Sequence, residues 1–206
     1  SRVYLAVDSS YRGWVDITGE TRPEAREAIG HVKRLGMDVA MLTGDQREAA
    51  ELVARETGIP VVEAEMLPEG KLEYLRRLRS HGRNVAMVGD GVNDAPALAA
   101  ADAGLAMSTG SDIAMQAASA TLMRPDLTLV AAAIGLSRAT VRTMRQNLFW
   151  ALAYNVVAIP VAAGVMYPTH GILLSPVLAS LAMAFSSVSV MTNSLRLARW
   201  NQEVGR

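Results

Sequence analysis

The segment GDGVND (89–94) places two carboxylates and an amide between glycines, directly after an apolar run. Mg²⁺ prefers oxygen ligands, usually one or two carboxylates completed by water and phosphate. Asp90 and Asp94 supply such carboxylates, and glycines let backbone N–H groups approach phosphate oxygens closely. Because this density of acidic residues and glycine is costly for a simple turn, the segment predicts a site for Mg²⁺ and phosphate.

Two further signals suit the same chemistry. Thr43-Gly44-Asp45 follows a second apolar run and offers a hydroxyl and backbone amides to a phosphate, while Lys71 lies at a helix start in PEGKLEYL. A lysine there can neutralise charge that develops on a transferred phosphoryl group. Alone, the first signal is more often a helix-capping turn and the second a solvated side chain. Their order along the chain, together with GDGVND, favours a common phosphoryl-transfer site.

The first 125 residues alternate short β-rich runs with helical patterns, which predicts a parallel sheet covered by helices on both faces. Ligands bind at the carboxyl ends of strands in such sheets. The N-terminal runs SRVYLAVD and YRGWVDIT predict a hairpin around a Ser-Ser turn. The expected strands are 37–42, 84–88, 103–107 and 120–123, and the expected helices are 23–36, 46–56, 68–79, 95–101 and one between the last two strands.

Composition narrows the class of protein. Twenty basic and twenty acidic residues balance to a net charge of zero, so no global field favours nucleic acid. The absence of cysteine excludes disulfides and thiolate chemistry from this sequence. The first residues resemble the interior of a strand, without a start methionine, and we expect the chain to be cut from something longer.

The composition changes after residue 125. A helix is expected over 127–145, with Arg138, Arg142 and Arg145 on one face, and it is followed by two apolar stretches of twenty residues each, 148–167 and 172–191. That length suits a bilayer core. A four-residue connector predicts a tight transmembrane hairpin, and flanking arginines place its outer ends in the cytoplasm. Two buried core helices in a soluble protein are the alternative.

The three motifs together resemble the second half of the phosphorylation domain of P-type ATPases, which belong to the haloacid-dehalogenase-like superfamily. The resemblance implies a Rossmann-like α/β fold, ATP as substrate and Mg²⁺ as cofactor. It implies phosphate binding by Thr43, Gly44 and Asp45, charge neutralisation by Lys71, and Mg²⁺ binding by Asp90. Asn93 and Asp94 would support phosphate and metal, with Asp94 beside Asp90 at the Mg²⁺.

The sequence also departs from that family. It contains no D-K-T-G-T motif, whose aspartate the family phosphorylates, and neither Asp8 nor Asp16 has that context. Gln46 stands where the family generally has Asn, and Gly19 where related sequences often carry Asp. We therefore expect the C-terminal part of a pump that is inactive alone.

Polar groups in an apolar span indicate function. Tyr154 and Asn155 lie in the first stretch, and Met183 and Ser187 lie four apart in the second. A thioether suits Cu(I), and the absence of carboxylates counts against Zn²⁺, Ca²⁺ or Na⁺. The pattern resembles the last two helices of copper(I)-exporting P-type ATPases, which implies these four residues as Cu(I) ligands and a Cys-Pro-Cys helix elsewhere. Packing is the alternative role of Met183.

These expectations combine into one organisation. Residues 1–125 would be the C-terminal portion of the phosphorylation domain, 126–147 a cytoplasmic connecting helix, 148–167 and 172–191 the membrane helices, and 192–206 a cytoplasmic tail. The protein would be a bacterial plasma-membrane pump for Cu(I) or Ag(I). Its partners would be lipid, the remaining pump domains and a cytosolic copper chaperone, without nucleic acid. A non-catalytic membrane-anchored form, a soluble phosphatase and a pump for another heavy metal are the alternatives.

Overall fold

The computed structural model describes residues 2–16, 20–90, 92–108, 110–165, 167–171 and 175–198. The chain comprises two compact units, Ser1–Ala131 and Ala132–Arg206. The predicted positions Gly19 and Gly91, part of the second apolar stretch (172–174) and most of the tail lie outside the described residues.

The first unit contains strands and short helices in alternation, and the second is helical. The strands are β1 (Arg2–Val7), β2 (Ser10–Asp16), β3 (Ala40–Leu42), β4 (Val61–Glu63), β5 (Ala86–Gly89), β6 (Ala103–Met107) and β7 (Ala120–Leu122). The helices are α1 (Ala25–Arg34), α2 (Arg47–Thr57), α3 (Pro68–Ser80), α4 (Ala95–Ala100), α5 (Asp112–Ala117), α6 (Thr128–Ala162), α7 (Tyr167–His170) and α8 (Pro176–Ala198). A 3-10 turn, Val92–Asp94, precedes α4.

Strands β1 and β2 form the predicted antiparallel hairpin. Asp8 and Ser9 at its turn have positive φ angles of 50° and 63°. Positive φ at both central residues is typical of the two-residue turns that match the right-handed twist of a hairpin. The Ser-Ser turn predicted from the sequence is therefore shifted by one residue.

The remaining strands pair in parallel, as the alternating pattern predicts. Strand β3 pairs with β4, and β5, β6 and β7 form a three-stranded sheet in that order. Strand β4 was not among the predicted strands, and β3 is shorter than the predicted run 37–42. The fold is thus an α/β fold with parallel sheets and covering helices.

The core of the first unit lies between the three-stranded sheet and helices α3 to α5. Its buried members are Leu75, Met87, Ala97, Leu98 and Ala114, and Leu42 at the end of β3 packs against them. Since α4 passes very close to β6, a Cβ on Gly104 would lie 2.5 Å from a backbone oxygen of that helix. Glycine at this position therefore permits the close packing of helix on sheet.

The second unit contains most of α6 and all of α7 and α8. The predicted helix 127–145 and most of the first apolar stretch form one continuous helix, α6, of 35 residues, with Pro160 near its end. The predicted connector begins with the short helix α7 rather than a loop. Among the residues that the structure describes, no helix combines the length and the apolar character needed to cross a membrane. The predicted transmembrane hairpin is therefore not confirmed.

Helix α6 begins at an acidic turn. One carboxylate oxygen of Asp126 accepts hydrogen bonds from the Thr128 hydroxyl, at 2.6 Å, and from the Thr128 N–H, at 2.8 Å. These bonds, the hydroxyl bond first, lower the pKa of Asp126 against the opposing effect of burial, and nearby Arg124 lowers it further. The charged form thus satisfies a backbone donor at the helix start.

We predict that Asp126→Ala destabilises the first turn of α6 by about 1 kcal/mol, as loss of a helix-start acceptor typically does. Because the folded-state pKa lies below the unfolded one, the carboxylate stabilises at neutral pH, and this effect is lost as pH falls through the lowered pKa. Amide hydrogen exchange over 128–131 as a function of pH measures both effects. Asp126→Asn is the control, since it keeps an acceptor but does not titrate.

Candidate active site

The first polar loop of the predicted site follows β3. The Thr43 hydroxyl donates to the carboxylate of Asp45 at 3.0 Å and accepts from the Asp45 N–H at 3.1 Å. A Cβ on Gly44 would lie 3.3 Å from the backbone oxygen of Met66, so the loop is closely packed there. Thr43 is half-buried, whereas Gly44 and Asp45 are exposed. The loop therefore exposes Gly44 and Asp45 at the carboxyl end of a parallel strand, while the Thr43 N–H donates to the backbone oxygen of Glu63.

A segment that the sequence analysis did not single out holds this loop in place. After β4, the N–H groups of Glu65 and Met66 donate to the backbone oxygens of Asp45 and Thr43, both at 2.9 Å. Glu65 has a φ of +58°, which non-glycine residues rarely adopt. Because β4 was not predicted, only the unusual density of acidic residues in VVEAEMLPEG signalled this segment.

The second polar loop follows β5 and contains Asp90. The backbone oxygen of Asp90 accepts from the Ser111 N–H at 3.0 Å, at the start of α5. A Cβ on Gly110 would lie only 2.4 Å from that same oxygen, so a larger residue would displace the loop. The Asp90 side chain is exposed. The backbone of this loop is thus fixed while its carboxylate is accessible.

An ion pair joins this loop to α3. Lys71 Nζ donates to Asp94 Oδ1 at 2.7 Å, and each side chain is only 14% exposed. Lys71 lies in the first turn of α3, where a cation opposes the helix dipole. Asp94 directly precedes α4, makes no capping hydrogen bond to it, and compensates the lysine instead. The pair thus places one cation at the carboxyl end of β5.

The end of strand β5 also packs closely against the Asp94 side chain. A Cβ on Gly89 would lie 2.9 Å from both Cβ and Oδ2 of Asp94. Glycine is therefore required at the end of β5 for Asp94 to reach Lys71 in this position. Asn93, in the turn between them, is exposed.

The donor set of the second loop fits Mg²⁺. Its two carboxylates, one exposed on Asp90 and one half-buried on Asp94, are hard oxygen ligands in the number that Mg²⁺ takes when water and phosphate complete its shell. Within the described part of the chain, no group of three or more His, Asp or Glu side chains is placed to hold a metal ion. A dedicated protein cage of the kind that Ca²⁺ uses is thus not formed by these residues.

The candidate cargo residues lie in the second unit. Tyr154 on α6 is half-buried, whereas Asn155 on α6 and Met183 and Ser187 on α8 are exposed, Met183 to 73%. The Asn155 amide donates to its own helix at Ala151, and the Ser187 hydroxyl donates to the backbone oxygen of Met183. The structure therefore brings Met183 and Ser187 together on one helix face, and the hydrogen bonds of Asn155 and Ser187 given above stay within their own helices.

Residues 4–102 match the haloacid dehalogenase-like hydrolase family. The chain is 53% identical to copper-transporting ATPase 2 of Rhizobium meliloti over 201 residues, which is 98% of this chain and 24% of that protein. It is 50% identical to a silver-exporting P-type ATPase of Salmonella typhimurium over 195 residues, which is 95% of this chain and 24% of that protein. The chain thus spans about a quarter of the length of these curated relatives.

A solved structure is also similar. The crystal structure of a zinc-transporting PIB-type ATPase superposes with a TM-score of 0.79 at 34% identity, covering 95% of this chain and 31% of that one. The first unit is therefore similar to haloacid dehalogenase-like hydrolases over residues 4–102, and the chain matches copper- and silver-transporting P-type ATPases at about 50% identity in sequence.

We predict that the Lys71–Asp94 pair is coupled by about 2 kcal/mol, because removal of one partner leaves a largely buried charge unpaired. A double-mutant cycle with Lys71→Met and Asp94→Asn measures this coupling, with amide hydrogen exchange in α3 and α4 read across urea concentrations. Each single variant should be less stable than the double variant.

The exposed ion pair between Arg83 and Asp38 provides the matched control, since its side chains are 60% and 88% exposed. The same cycle with Arg83→Met and Asp38→Asn should give a coupling below about 1 kcal/mol. Equal coupling in both cycles would show that the Lys71–Asp94 pair is an ordinary surface contact.

Proposed function

We propose that this chain is the C-terminal part of an ATP-driven P-type pump that moves Cu(I), or Ag(I), across a membrane through an aspartyl-phosphate intermediate. The observation that carries the proposal is the Lys71–Asp94 ion pair, whose acid lies in the same loop after a parallel strand as the exposed residue Asp90. The copper and silver ATPases that are about 50% identical over almost the whole chain support the same reaction class.

The phosphorylated aspartate would come from outside this sequence, which lacks a D-K-T-G-T motif. Among the described strands, β3 and β5 each have an edge without a partner strand, although both contribute to one core. A strand inserted between them would end beside Thr43 on one side and Asp90 on the other. We propose that the strand with the phosphorylated aspartate takes this position.

Each site residue then has a chemical role. Thr43, Gly44 and Asp45 form a loop in which the Thr43 hydroxyl and the Gly44 N–H bind the phosphoryl group, since the N–H groups of Thr43 and Asp45 donate to Glu63 O and to Thr43 Oγ1. Lys71 neutralises charge that develops on this group, and Asp94 holds the ammonium in place. Bound Mg²⁺, held by Asp90 with Asp94 nearby, would supply charge stabilisation on the phosphate oxygens. The exposed amide of Asn93 supports the phosphate.

The second unit would contain the membrane part. Helices α6 and α8 expose many large apolar side chains, among them Phe149, Val156, Ile159 and Phe185. An apolar surface of this extent requires an apolar environment or a partner. The apolar stretches 148–167 and 172–191 extend beyond α6 and into residues outside the described ones. We propose that they form a hairpin in a bacterial plasma membrane with the first unit in the cytoplasm.

Cu(I) is the cargo that the ligand chemistry favours. Met183 provides a thioether, a soft ligand, while Tyr154, Asn155 and Ser187 provide neutral oxygen atoms. From Leu127 to Ala198 the sequence contains no Asp or Glu, the hard ligands that a divalent ion would need. A zinc pump is the second candidate, because a zinc-transporting PIB-type ATPase superposes closely. Lipid, the other pump domains and a cytosolic copper chaperone are the proposed partners.

A non-catalytic membrane-anchored form is the alternative from another class. The same chain would then keep its fold but take no part in phosphorylation. The reading frame that encodes the chain separates the two: D-K-T-G-T and Cys-Pro-Cys upstream support the pump, and their absence supports the anchored form.

We predict that Asp90→Asn in the complete protein reduces Mg²⁺-dependent phosphoenzyme formation from ATP by at least about 100-fold, since a carboxylate ligand to the metal is lost. Incorporation of labelled phosphate from ATP measures this. Asp112→Asn, an exposed acid in the first turn of α5, is the matched control and should be phosphorylated normally. Normal phosphorylation of the Asp90 variant would disprove the Mg²⁺ assignment.

We predict that Met183→Ala raises the Cu(I) concentration for half-maximal ATP hydrolysis about tenfold, because one soft ligand is removed. Met191→Ala is the matched control, as it removes a similarly exposed methionine from the same helix. ATPase activity across Cu(I), Ag(I) and Zn²⁺ gives the selectivity. If both variants respond equally to Cu(I), Met183 serves packing alone, and preferential Zn²⁺ stimulation supports the zinc pump.

A further inference from the structure

A cluster of polar side chains connects the two long helices of the second unit. The Asn193 amide on α8 donates to Asn147 Oδ1 at 2.8 Å and to Gln146 Oε1 at 3.3 Å on α6. The Asn147 amide in turn donates to Ser194 Oγ at 2.8 Å. We call Gln146, Asn147, Asn193 and Ser194 the amide clasp. It is formed in both directions, since each helix donates to the other.

The clasp lies just outside the ends of the two apolar stretches, whose residues offer few other directional groups. Two helices that contact each other through apolar side chains can slide by one turn with little loss of packing energy, because the contacts before and after the shift are similar. Sliding by a turn would break all three hydrogen bonds between the helices at once, which opposes it. A single polar residue in a helix interface is known to specify register in this way. The clasp therefore fixes one alignment of α8 against α6.

This alignment determines which residues lie at the same height. In the hairpin predicted from the sequence α8 runs antiparallel to α6, so steps forward along α6 correspond to steps backward along α8. Tyr154 is seven residues after Asn147, and Ser186 is seven residues before Asn193. At 1.5 Å per residue, both lie about 10.5 Å from the clasp. Tyr154 is thus level with Ser186.

The burial pattern agrees with this alignment. On α6, Ala151, Tyr154 and Ala158 are half-buried at helical spacing from Asn147, and on α8, Ser186, Ser189 and Val190 are half-buried at helical spacing from Asn193. These half-buried positions continue along each helix from the clasp. Asn155, one residue beyond Tyr154, falls at the height midway between Met183 and Ser187.

We propose that Asn193 is a positioning residue, whose amide sets the register of α8 on α6 and so keeps the cargo residues of both helices at one height. The part that concerns cargo rests on the proposed function. The register itself does not, and the experiment below separates the two.

The register can be measured directly, because the chain contains no cysteine. Ala151 lies four residues after Asn147 and Ser189 four residues before Asn193, so the pair Ala151→Cys with Ser189→Cys is in register. Ala151→Cys with Ser186→Cys is the out-of-register control. Both double-cysteine chains are placed in phosphatidylcholine vesicles and treated with a short thiol cross-linker. The measured quantity is the yield of intramolecular cross-link for the in-register pair divided by the yield for the control pair.

The in-register pair should cross-link more than the control pair. Asn193→Leu should reduce this ratio about tenfold, which is the change expected when one or two interhelical hydrogen bonds are lost. Ser194→Ala, which removes one bond, should reduce it less. Asn193→Gln keeps the amide donor and should restore part of the preference. Equal cross-linking of both pairs, or a preference that Asn193→Leu leaves unchanged, would overturn the register.

The second measurement uses the complete protein. Asn193→Leu should raise the Cu(I) concentration for half-maximal ATP hydrolysis about tenfold while the maximal rate stays near that of the unaltered protein. A general loss of folding would lower the maximal rate instead. If Asn193→Leu shifts the register measured by cross-linking while the Cu(I) dependence is unchanged, the proposed effect on the cargo residues is disproved. The role of Asn193 in setting the register then stands. If no metal stimulates the unaltered protein, the proposed function fails independently.

Discussion

The first unit is organised around one charge interaction, the ion pair between Lys71 and Asp94. Both side chains are largely buried, and neither charge would be stable there alone. The pair requires α3 to start beside the end of β5, and it requires glycine at position 89, where any side chain would collide with Asp94. The positions of a helix, a strand and a turn thus depend on each other. The phosphate-binding role proposed for this site needs this kind of rigidity.

Much of this arrangement is predictable from the sequence, because its signals are local. GDGVND after an apolar run indicates a strand followed by a ligand-binding turn, and the structure has β5 and a 3-10 turn there. The contact of Lys71 with Asp94 spans 23 residues, and no local pattern encodes it. The contribution of Glu65 and Met66 was missed for a related reason. Strand β4 has three residues, too few for an alternating pattern, so the loop that follows it had no predicted position.

The second unit shows a different limit. Apolar composition correctly indicates long helices, yet the ends of α6 differ from the predicted boundaries, since one helix joins the connecting segment to the first apolar stretch. Composition also cannot show which polar residues form contacts between helices. Asn155 and Met183 attract attention because they interrupt apolar runs, whereas Asn147 and Asn193 lie near the ends of such runs and look ordinary. The structure shows that the latter pair joins the helices.

The unpaired edges of β3 and β5 have a consequence for handling the chain. A strand edge with unused N–H and C=O groups pairs readily with any extended segment, including one from a second molecule. In the described residues the sheet is divided into β3–β4 and β5–β6–β7, so inner edges are available in addition to the outer ones. Expression of this sequence alone therefore favours association through intermolecular β pairing. Supplying an extended peptide that occupies these edges should improve recovery of single, folded molecules.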